Sequence, residues 1–341
     1  MLILRPIARS DLDSLIDLAG LLDSINLPRD RDLLEARIDV SLRSFGGELE
    51  DGRQGIYVFV LDDTDTGRVV GTSAIIAKIG QPDSPYYWLA VTTEERRSAE
   101  LDRRFVHTKL QLHSTTDGPT EIGGLILDPE YRRHPEKCGK ALSVVRFAYI
   151  SLHPKRFERE VIAEMLSPFV APGKSLLWDA FGRRFTGLPY READHLSSCN
   201  KRFIADLFPR DPVYSTLFPE EVQDVIGKTN ENSKAAVSIL EKLGFRYLNQ
   251  VDPFDGGPYY GAARDAIGSV RDRRQLVLPG LVYQRIRPSD GPLALLSAEA
   301  RLGFRATVVP LDGDGAPLLS KQGREILGVS SGDRVSVTPL P

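Results

Sequence analysis

The sequence predicts an α+β fold, a three-layer arrangement of helices on a central mixed, mostly antiparallel sheet. Three observations carry that prediction. Apolar runs and capping residues follow the order strand, helix, helix, hairpin, strand, helix, strand along the first half of the chain. A strand-like run from Ile122 to Leu127 ends in Asp128-Pro129, crosses a basic turn at Tyr131-Arg132-Arg133-His134, and reaches Gly139-Lys140-Ala141 at a helix start. Further on, Asn232 to Tyr247 (NSKAAVSILEKLGFRY) reads as a helix closed by a glycine and followed at once by a strand.

Each element has its own signal. Leu2 to Ile7 is an apolar strand, and Ser10 then caps a helix carrying Leu12, Leu15, Ile16 and Leu18. Residues Asp32 to Phe45 read as a second helix. The runs Ile56 to Leu61 and Val69 to Ile79 flank Asp62-Asp63-Thr64-Asp65-Thr66-Gly67, which is turn chemistry between two strands. Tyr86 to Val91 and Phe105 to Leu112 are strands on either side of a charged loop. The helix opened by Gly139 is amphipathic, with Leu142, Val144, Val145 and Phe147 on its apolar side, and Val161 to Met165 is a short buried strand. In the later helix, Ala235, Ala236, Ile239, Leu240 and Leu243 recur at helical spacing. Gly244 ends it in the left-handed conformation that glycine adopts cheaply, and Phe245 and Tyr247 begin the next strand.

Between residues 166 and 230 the pattern is interrupted by an aromatic-rich insertion with Trp178, Phe181, Phe185, Tyr190, Phe203 and Phe208. It reads as packing that also roofs a substrate pocket. From about Arg287 the chain becomes a series of turns around short strands, Phe304 to Val309 and Arg334 to Thr338. The expected division is therefore a domain at 1–285, with its insertion, and a small β-rich C-terminal module at 286–341.

The bulk numbers bound the function. A chain of 341 residues, 41% hydrophobic and 27% charged, buries a large core. A net charge of -3 gives no reason to expect nucleic acid or an anionic membrane as partner. Cys138 and Cys199 alone make neither a disulfide framework nor a zinc site, and no metal is expected. No stretch approaches the ~20 apolar residues of a membrane span, and Arg5 and Asp11 break up the start of the chain, so a cytoplasmic protein is expected.

The strand–turn–helix unit carries the chemistry. Backbone N–H groups at a helix start lack intrahelical partners, and the macrodipole favours an anion there. A dinucleotide fingerprint needs three spaced glycines after the strand, and a P-loop needs Gly-Lys-Ser/Thr; neither is present. The register of the strand, the PxYR turn and the Gly-x-Ala pair resemble the acyl-coenzyme A site of the GCN5-related N-acetyltransferases. Glu136 stands where that superfamily places Gln or Arg, so Arg132, Arg133, Lys137 and Lys140 are the cations left to hold a pyrophosphate. The segment Asn232 to Tyr247 resembles the later helix of the same superfamily, and two such segments in order weigh more than either alone.

From Leu2 to about Arg271 the chain resembles the arginine N-succinyltransferase family. The resemblance rests on RPIARSDLDSLIDLA, GIYVFVLDDTDTGRVVGTSAI, GGLILDPEYRR, REVIAEM, LLWDAFGRRF, READHLSS, KRFIADLFPRDPVYSTL, VQDVIGK, LEKLGFRY and VDPFDGGP. It implies the same acyltransferase fold and transfer of succinyl from succinyl-CoA to the α-amine of L-arginine. Succinyl-CoA is then a co-substrate, and no permanently bound cofactor is implied. The family's succinyl-CoA contact falls on Leu125, and the backbone edge from Leu125 through Ile126 to Leu127 is placed to pair with the pantetheine amides. With them Gly139, Lys140 and Ala141, at the helix start, and Arg132 and Arg133 make up the expected coenzyme site. The family's proton-donating histidine falls on Asn230, and an amide does not donate a proton as imidazolium does. Glu231, Tyr214 and His195 are the substitutes in reach of the same role.

The reaction itself asks for further residues. Glu164, in a buried strand, is a candidate base or amine anchor, because an apolar strand tolerates a carboxylate only with a task or a partner. A guanidinium calls for a carboxylate, for which Asp255 in the Asp-Gly-Gly turn is a candidate; a succinyl carboxylate calls for a cation, Arg183 or Arg184. A backbone N–H near Leu125 or Ile126 is expected to hold the thioester oxyanion. Two other readings stay open. One keeps the fold with a different amine or acyl donor. The other is a non-catalytic coenzyme-binding subunit paired with an active paralogue, so homo- or hetero-oligomers are both compatible with the sequence.

Overall fold

A computed structural model describes residues 1–20, 30–171, 173–199, 201–280 and 286–341, without the side chains of Ser198 and Cys199. The thiol of Cys199 therefore lies outside the described residues, as does the predicted boundary at 285. Cys138 is buried, and burial pushes its thiol up to about 12, which leaves it inert as a nucleophile.

In chain order the strands are β1 (Leu2–Pro6), β2 (Ile56–Asp63), β3 (Arg68–Ile76), β4 (Tyr86–Ser98), β5 (Arg103–Thr115), β6 (Thr120–Leu127) and β7 (Glu160–Glu164). They continue as β8 (Val213–Tyr214), β9 (Arg246–Val251), β10 (Pro258–Ala263), β11 (Arg274–Val277), β12 (Leu293–Ala300), β13 (Gly303–Pro310) and β14 (Arg334–Pro339). All belong to one sheet, in the order β11-β14-β12-β13-β1-β2-β3-β6-β7-β10-β9-β4-β5-β8. Every pair is antiparallel except β6 with β7, which is parallel. This is the mixed, mostly antiparallel sheet that the sequence predicts.

Helices cover both faces. On one, α1 (Leu12–Gly20) and α2 (Arg31–Gly46) bury Leu15, Leu18, Leu34 and Ile38 against Val58, Val60 and Ile126. On the other, α3 (Cys138–Leu152) packs on Phe59, Val70, Ile122 and Val161. Here the expectation of an amphipathic helix is corrected: α3 is buried on every side from Ala141 to Ile150. The reason is the C-terminal strands. Through the β13–β1 pairing (Leu4↔Ala306) they extend the sheet, and Leu295, Phe304 and Ala306 join the core around α3.

Two smaller expectations also change. The charged loop after Val91 is strand, because charges pair across the β4–β5 ribbon, with Lys109 Nζ 2.9 Å from Glu94 and Arg104 2.6 Å from Glu95. In the helix Lys234–Lys242, Ala235 is exposed and Val237 packs inward in its place. The insertion forms its own core, in which Trp178 stacks on Phe254 at 4.9 Å and 5° and donates its indole N–H to Leu188 O at 2.8 Å. Among the described residues no helix is long and apolar enough to cross a membrane.

Candidate active site

The sheet opens where its parallel pair ends. β6 and β7 are paired at Thr120↔Val161 and Glu121↔Ile162 and then diverge. From Ile122 to Leu127, β6 therefore bonds to β3 on one side and presents a free backbone edge on the other. A register shift against β3, between Thr72 and Ala74, puts a bulge at Gly124, whose φ of +58° suits glycine. A side chain at Gly123 would meet nothing within 4 Å. The Gly-Gly pair thus leaves a slot bare of side chains along the strand edge. This slot ends at Leu125, Ile126 and Leu127, of which Ile126 packs into the α1–α2 core while Leu125 and Leu127 lean on the α3 side.

Asp128 turns the chain towards α3 by accepting from Glu130 N at 3.0 Å and pairing with Arg68 at 3.2 Å. Lys137, with φ +54°, precedes the helix, and no side chain caps it. The N–H groups of Lys140 and Ala141 both bond to Lys137 O, at 2.9 and 3.0 Å. Ala141 therefore offers neither a free donor nor an accessible side chain; the open end of the helix is at Cys138 and Gly139. Arg132 and Arg133 are exposed ahead of it, whereas the Lys140 ammonium donates to the Pro341 carbonyl oxygen. Glu136 is half-buried, and burial raises its pKa, with His134 acting in the opposite sense.

Beside the divergence of β6 and β7 lies a cleft of about 360 Å³, lined by Lys78, Tyr86, Glu121, Glu164, Lys201 and Tyr259 with the 79–85 loop. Its inner wall is acidic. Glu164, Asp252 and Asp255 present carboxylate oxygens within 4.8 Å of one another. The VDPFDGGP turn sets this up locally. Asp252 Oδ1 accepts from Phe254 N (2.7 Å) and Asp255 N (3.1 Å), Gly256 takes a φ of +81°, and a Cβ on Gly257 would sit 2.0 Å from Met165 O. Asp255 is 4% exposed and accepts from Ser167 N at 3.1 Å and Gly257 N at 2.6 Å. Tyr259 Oη lies 3.2 Å from Glu164 Oε2 and 3.3 Å from Asp252 Oδ2, so one phenolic proton is shared by the two.

Crowding of like charges in a buried place favours the protonated forms. Burial, then Asp252 and Glu121, raises the Glu164 pKa well above the ordinary carboxylate range. Burial pushes Asp255 up to about 7, with Asp252 adding to it, and pushes Asp194 up to about 6. Burial also raises Asp252 and Glu121, against the opposing pull of Lys201 on both and of Arg37 on Glu121. The arrangement can hold protons or a cation. An all-carboxylate set suits a hard metal ion or an organic ammonium or guanidinium. Since Asp252 and Asp255 already take backbone N–H groups, Glu164 keeps the most free lone pairs for a ligand.

The structure thus brings Glu164 and Asp255 together, though Asp255 is turned onto backbone donors rather than into the cleft. Asn230 is a helix cap. Its Oδ1 accepts from Ser233 N at 2.9 Å, and its N–H bonds to Leu166 O at 2.9 Å, beside the extension of β7. Of its suggested substitutes, Tyr214 donates to Glu94 at 2.7 Å on the distant β5 side, and Glu231 pairs with Lys234 on the surface. Arg183 and Arg184 are exposed, Arg183 lying 3.5 Å from Asp179, and neither lines the cleft, so the structure does not bring the expected carboxylate-holding arginines to it. The insertion reaches the cleft through Lys201 instead. Sequence reasoning missed Tyr86, Glu121, Lys201, Asp252, Tyr259 and the Gly123-Gly124 slot. Two signals were there to read: adjacent glycines inside a strand pattern, and two aspartates three apart around a proline.

Comparison with known proteins adds the following. A family model described as arginine N-succinyltransferase beta subunit matches residues 2–269. An arginine N-succinyltransferase of Citrobacter koseri is 36% identical over 344 residues, covering 100% of this chain and 98% of the relative. One from an Enterobacter species is 35% identical over the same coverage. The solved structure of arginine/ornithine succinyltransferase subunit AI from Pseudomonas aeruginosa superposes with a TM-score of 0.85 at 28% identity, over 100% of this chain and 99% of that one.

Proposed function

Because this chain belongs to the arginine N-succinyltransferase family, we propose that it transfers the succinyl group of succinyl-CoA to the α-amine of L-arginine. The observation that carries the reading is the carboxylate cluster at the mouth of the β6–β7 divergence. It places groups that bind cations and accept protons next to a bare strand edge that can take an extended amide chain. In this reading the pantetheine lies along Gly123 to Leu127, and the pyrophosphate meets the α3 start and Arg132 or Arg133.

The steps follow from the groups in place. The α-amine has a pKa of ~8, so a modest base frees its lone pair. Glu164 takes the proton, helped by a pKa lifted towards that of the amine. The amine nitrogen attacks the thioester carbonyl carbon, and a backbone N–H near Leu125 holds the oxygen as it gains charge. The carbon–sulfur bond then breaks, the amide forms as the nitrogen gives up its second proton to water, and the coenzyme thiolate takes a proton from that water. No proton need come from Asn230. Lys201, in the cleft lining, supplies positive charge for a ligand carboxylate, since Lys78 already pairs with Asp117 and, at 3.3 Å, with Glu158.

Release of free thiol from succinyl-CoA tests the proposal, measured with and without L-arginine and with acetyl-CoA as control donor. Turnover that requires both succinyl-CoA and arginine is expected. Coenzyme binding without turnover of any basic amino acid overturns it.

A further inference from the structure

One polar group in the cleft has no use in the steps above. Tyr86 is 7% exposed and lines the cleft with Glu121 and Glu164; its Oη reaches only the Tyr259 hydroxyl, without a hydrogen bond of ordinary geometry, and the two rings are edge-on at 5.5 Å. A buried hydroxyl with no well-formed hydrogen bond is costly unless a ligand supplies one. Its ring is fixed by stacking on Trp88 at 5.1 Å and 24°, so the hydroxyl is held in place.

Glu121 shares that corner. It pairs with Ile162 in the parallel register, two residues before Glu164 on β7, so both glutamates project from the same face. Two residues of strand rise about 6.6 Å and the neighbouring strand stands about 4.8 Å aside, so Glu121 and Glu164 start about 8 Å apart. That is close to the reach of an extended arginine from its α-amine to its guanidinium. An acceptor whose amine is at Glu164 therefore brings its side-chain cation to Glu121 and Tyr86.

We infer that Tyr86 and Glu121 form the subsite that reads the cationic end of the acceptor side chain. The inference rests on the reading of Glu164 as the group that meets the acceptor amine. Glu121 supplies charge, and Tyr86 Oη supplies a lone pair to one N–H. Arg37 and Lys201 lower the cost of an ionised Glu121 against the burial that raises its pKa, and a bound guanidinium tips it to the carboxylate. Selectivity for a basic side chain then resides here and not in Asp255, whose oxygens are taken by the backbone.

The test is the steady-state kinetics of Tyr86→Phe and Glu121→Gln with arginine and with citrulline, its neutral isostere. For Tyr86→Phe the KM for arginine is expected to rise about tenfold, and for Glu121→Gln more, with kcat and the KM for succinyl-CoA within twofold of wild type. The preference for arginine over citrulline should collapse in Glu121→Gln, an effect that mere loosening of the fold does not produce. Equal losses on the two acceptors, or a fall in kcat at unchanged KM for arginine, overturn the inference. If a variant fails to fold, wild type that turns over citrulline as well as arginine overturns it too. Should wild type transfer succinyl to no amine, the functional reading fails by itself. Arginine binding is then read from the melting temperature: a shift in wild type that both variants lose supports the subsite, and no shift in wild type overturns it.

Discussion

The cleft and the strand edge beside it, the proposed acceptor and coenzyme walls, are built in different ways. The coenzyme wall is backbone: a strand edge freed by divergence, a bulge at Gly124 and the open start of α3. The acceptor wall is side chains gathered from Tyr86, Glu121, Glu164, Lys201, Asp252 and Tyr259, spread over more than half the chain. Backbone recognition tolerates many side chains but no obstruction. A side-chain cluster tolerates little change in its own chemistry, because each buried carboxylate depends on the others for protons and counter-charge. Substitutions on the two walls should therefore fail differently.

The largest effect is expected on the acceptor wall. Glu164→Gln keeps the shape and removes the base, so kcat should fall by roughly 10²–10⁴ while the KM for succinyl-CoA changes little. A fall below tenfold would show that Asp252 or solvent takes the proton instead. On the coenzyme wall the corresponding change adds bulk. Gly123→Val places a side chain into space that is empty in the protein, so stability should hold while the KM for succinyl-CoA rises ~10-fold or more. Loss of stability without a change in KM would mean that the bare strand edge is structural only.

The walls should also differ in their response to pH. Folded-state pKa values on the acceptor wall are raised, to about 7 for Asp255 and upward for Glu164 and Asp252, over the ~4 of an unfolded carboxyl. The folded protein then holds more protons than the unfolded chain between those values. Its extra stability is complete below pH ~4 and is lost as pH rises through about 7. The melting temperature should thus decline between pH 5 and 8, and Asp255→Asn should flatten part of the decline. Saturating arginine should flatten it further, since a bound cation favours the ionised carboxylates. A melting temperature that rises over this range, or a decline that arginine leaves unchanged, would separate the cluster from the acceptor.

The same contrast explains what the sequence made legible. The coenzyme wall is local, so one stretch of residues from Ile122 to Ala141 pointed to strand, turn and helix, and the sheet type followed from the order of elements. Its blind spots were also local. Ala141 and Lys140 lie in the motif, yet their donors bond to Lys137 O and Pro341 O. The acceptor wall depends on which distant residues the sheet brings together. Glu164 drew notice as a charge in an apolar strand, and Asp255 through its turn, but neither signal says that Asp252 and Tyr259 complete the group. Arg183 and Arg184 were chosen by charge alone. The protein puts Lys201 at the cleft and Arg183 beside Asp179.

Asn230 stands between the two walls, and its expected effect is the smallest. Where the resemblance implies an acid, this chain has a cap: Oδ1 accepts from Ser233 N at the turn that leads into the helix Lys234–Lys242. Its backbone N–H, bonded to Leu166 O, ties that turn to β7 whatever the side chain. Asn230→Ala should therefore cost about 1 kcal/mol of stability, the ordinary value of a lost cap, and leave kcat within a fewfold range. Denaturant titration and thiol release on the same sample separate the two effects. A fall in kcat of a hundredfold with little loss of stability would mean that the Asn230 amide serves the leaving thiolate, and that the boundary between the walls is itself part of the chemistry. Asn230→His then sharpens the outcome. If the thiolate leaves without help, an imidazole at this place gains nothing at pH 8, where it is neutral and has no imidazolium proton to give, and gives at most a modest increase at pH 6, where imidazolium is present to donate.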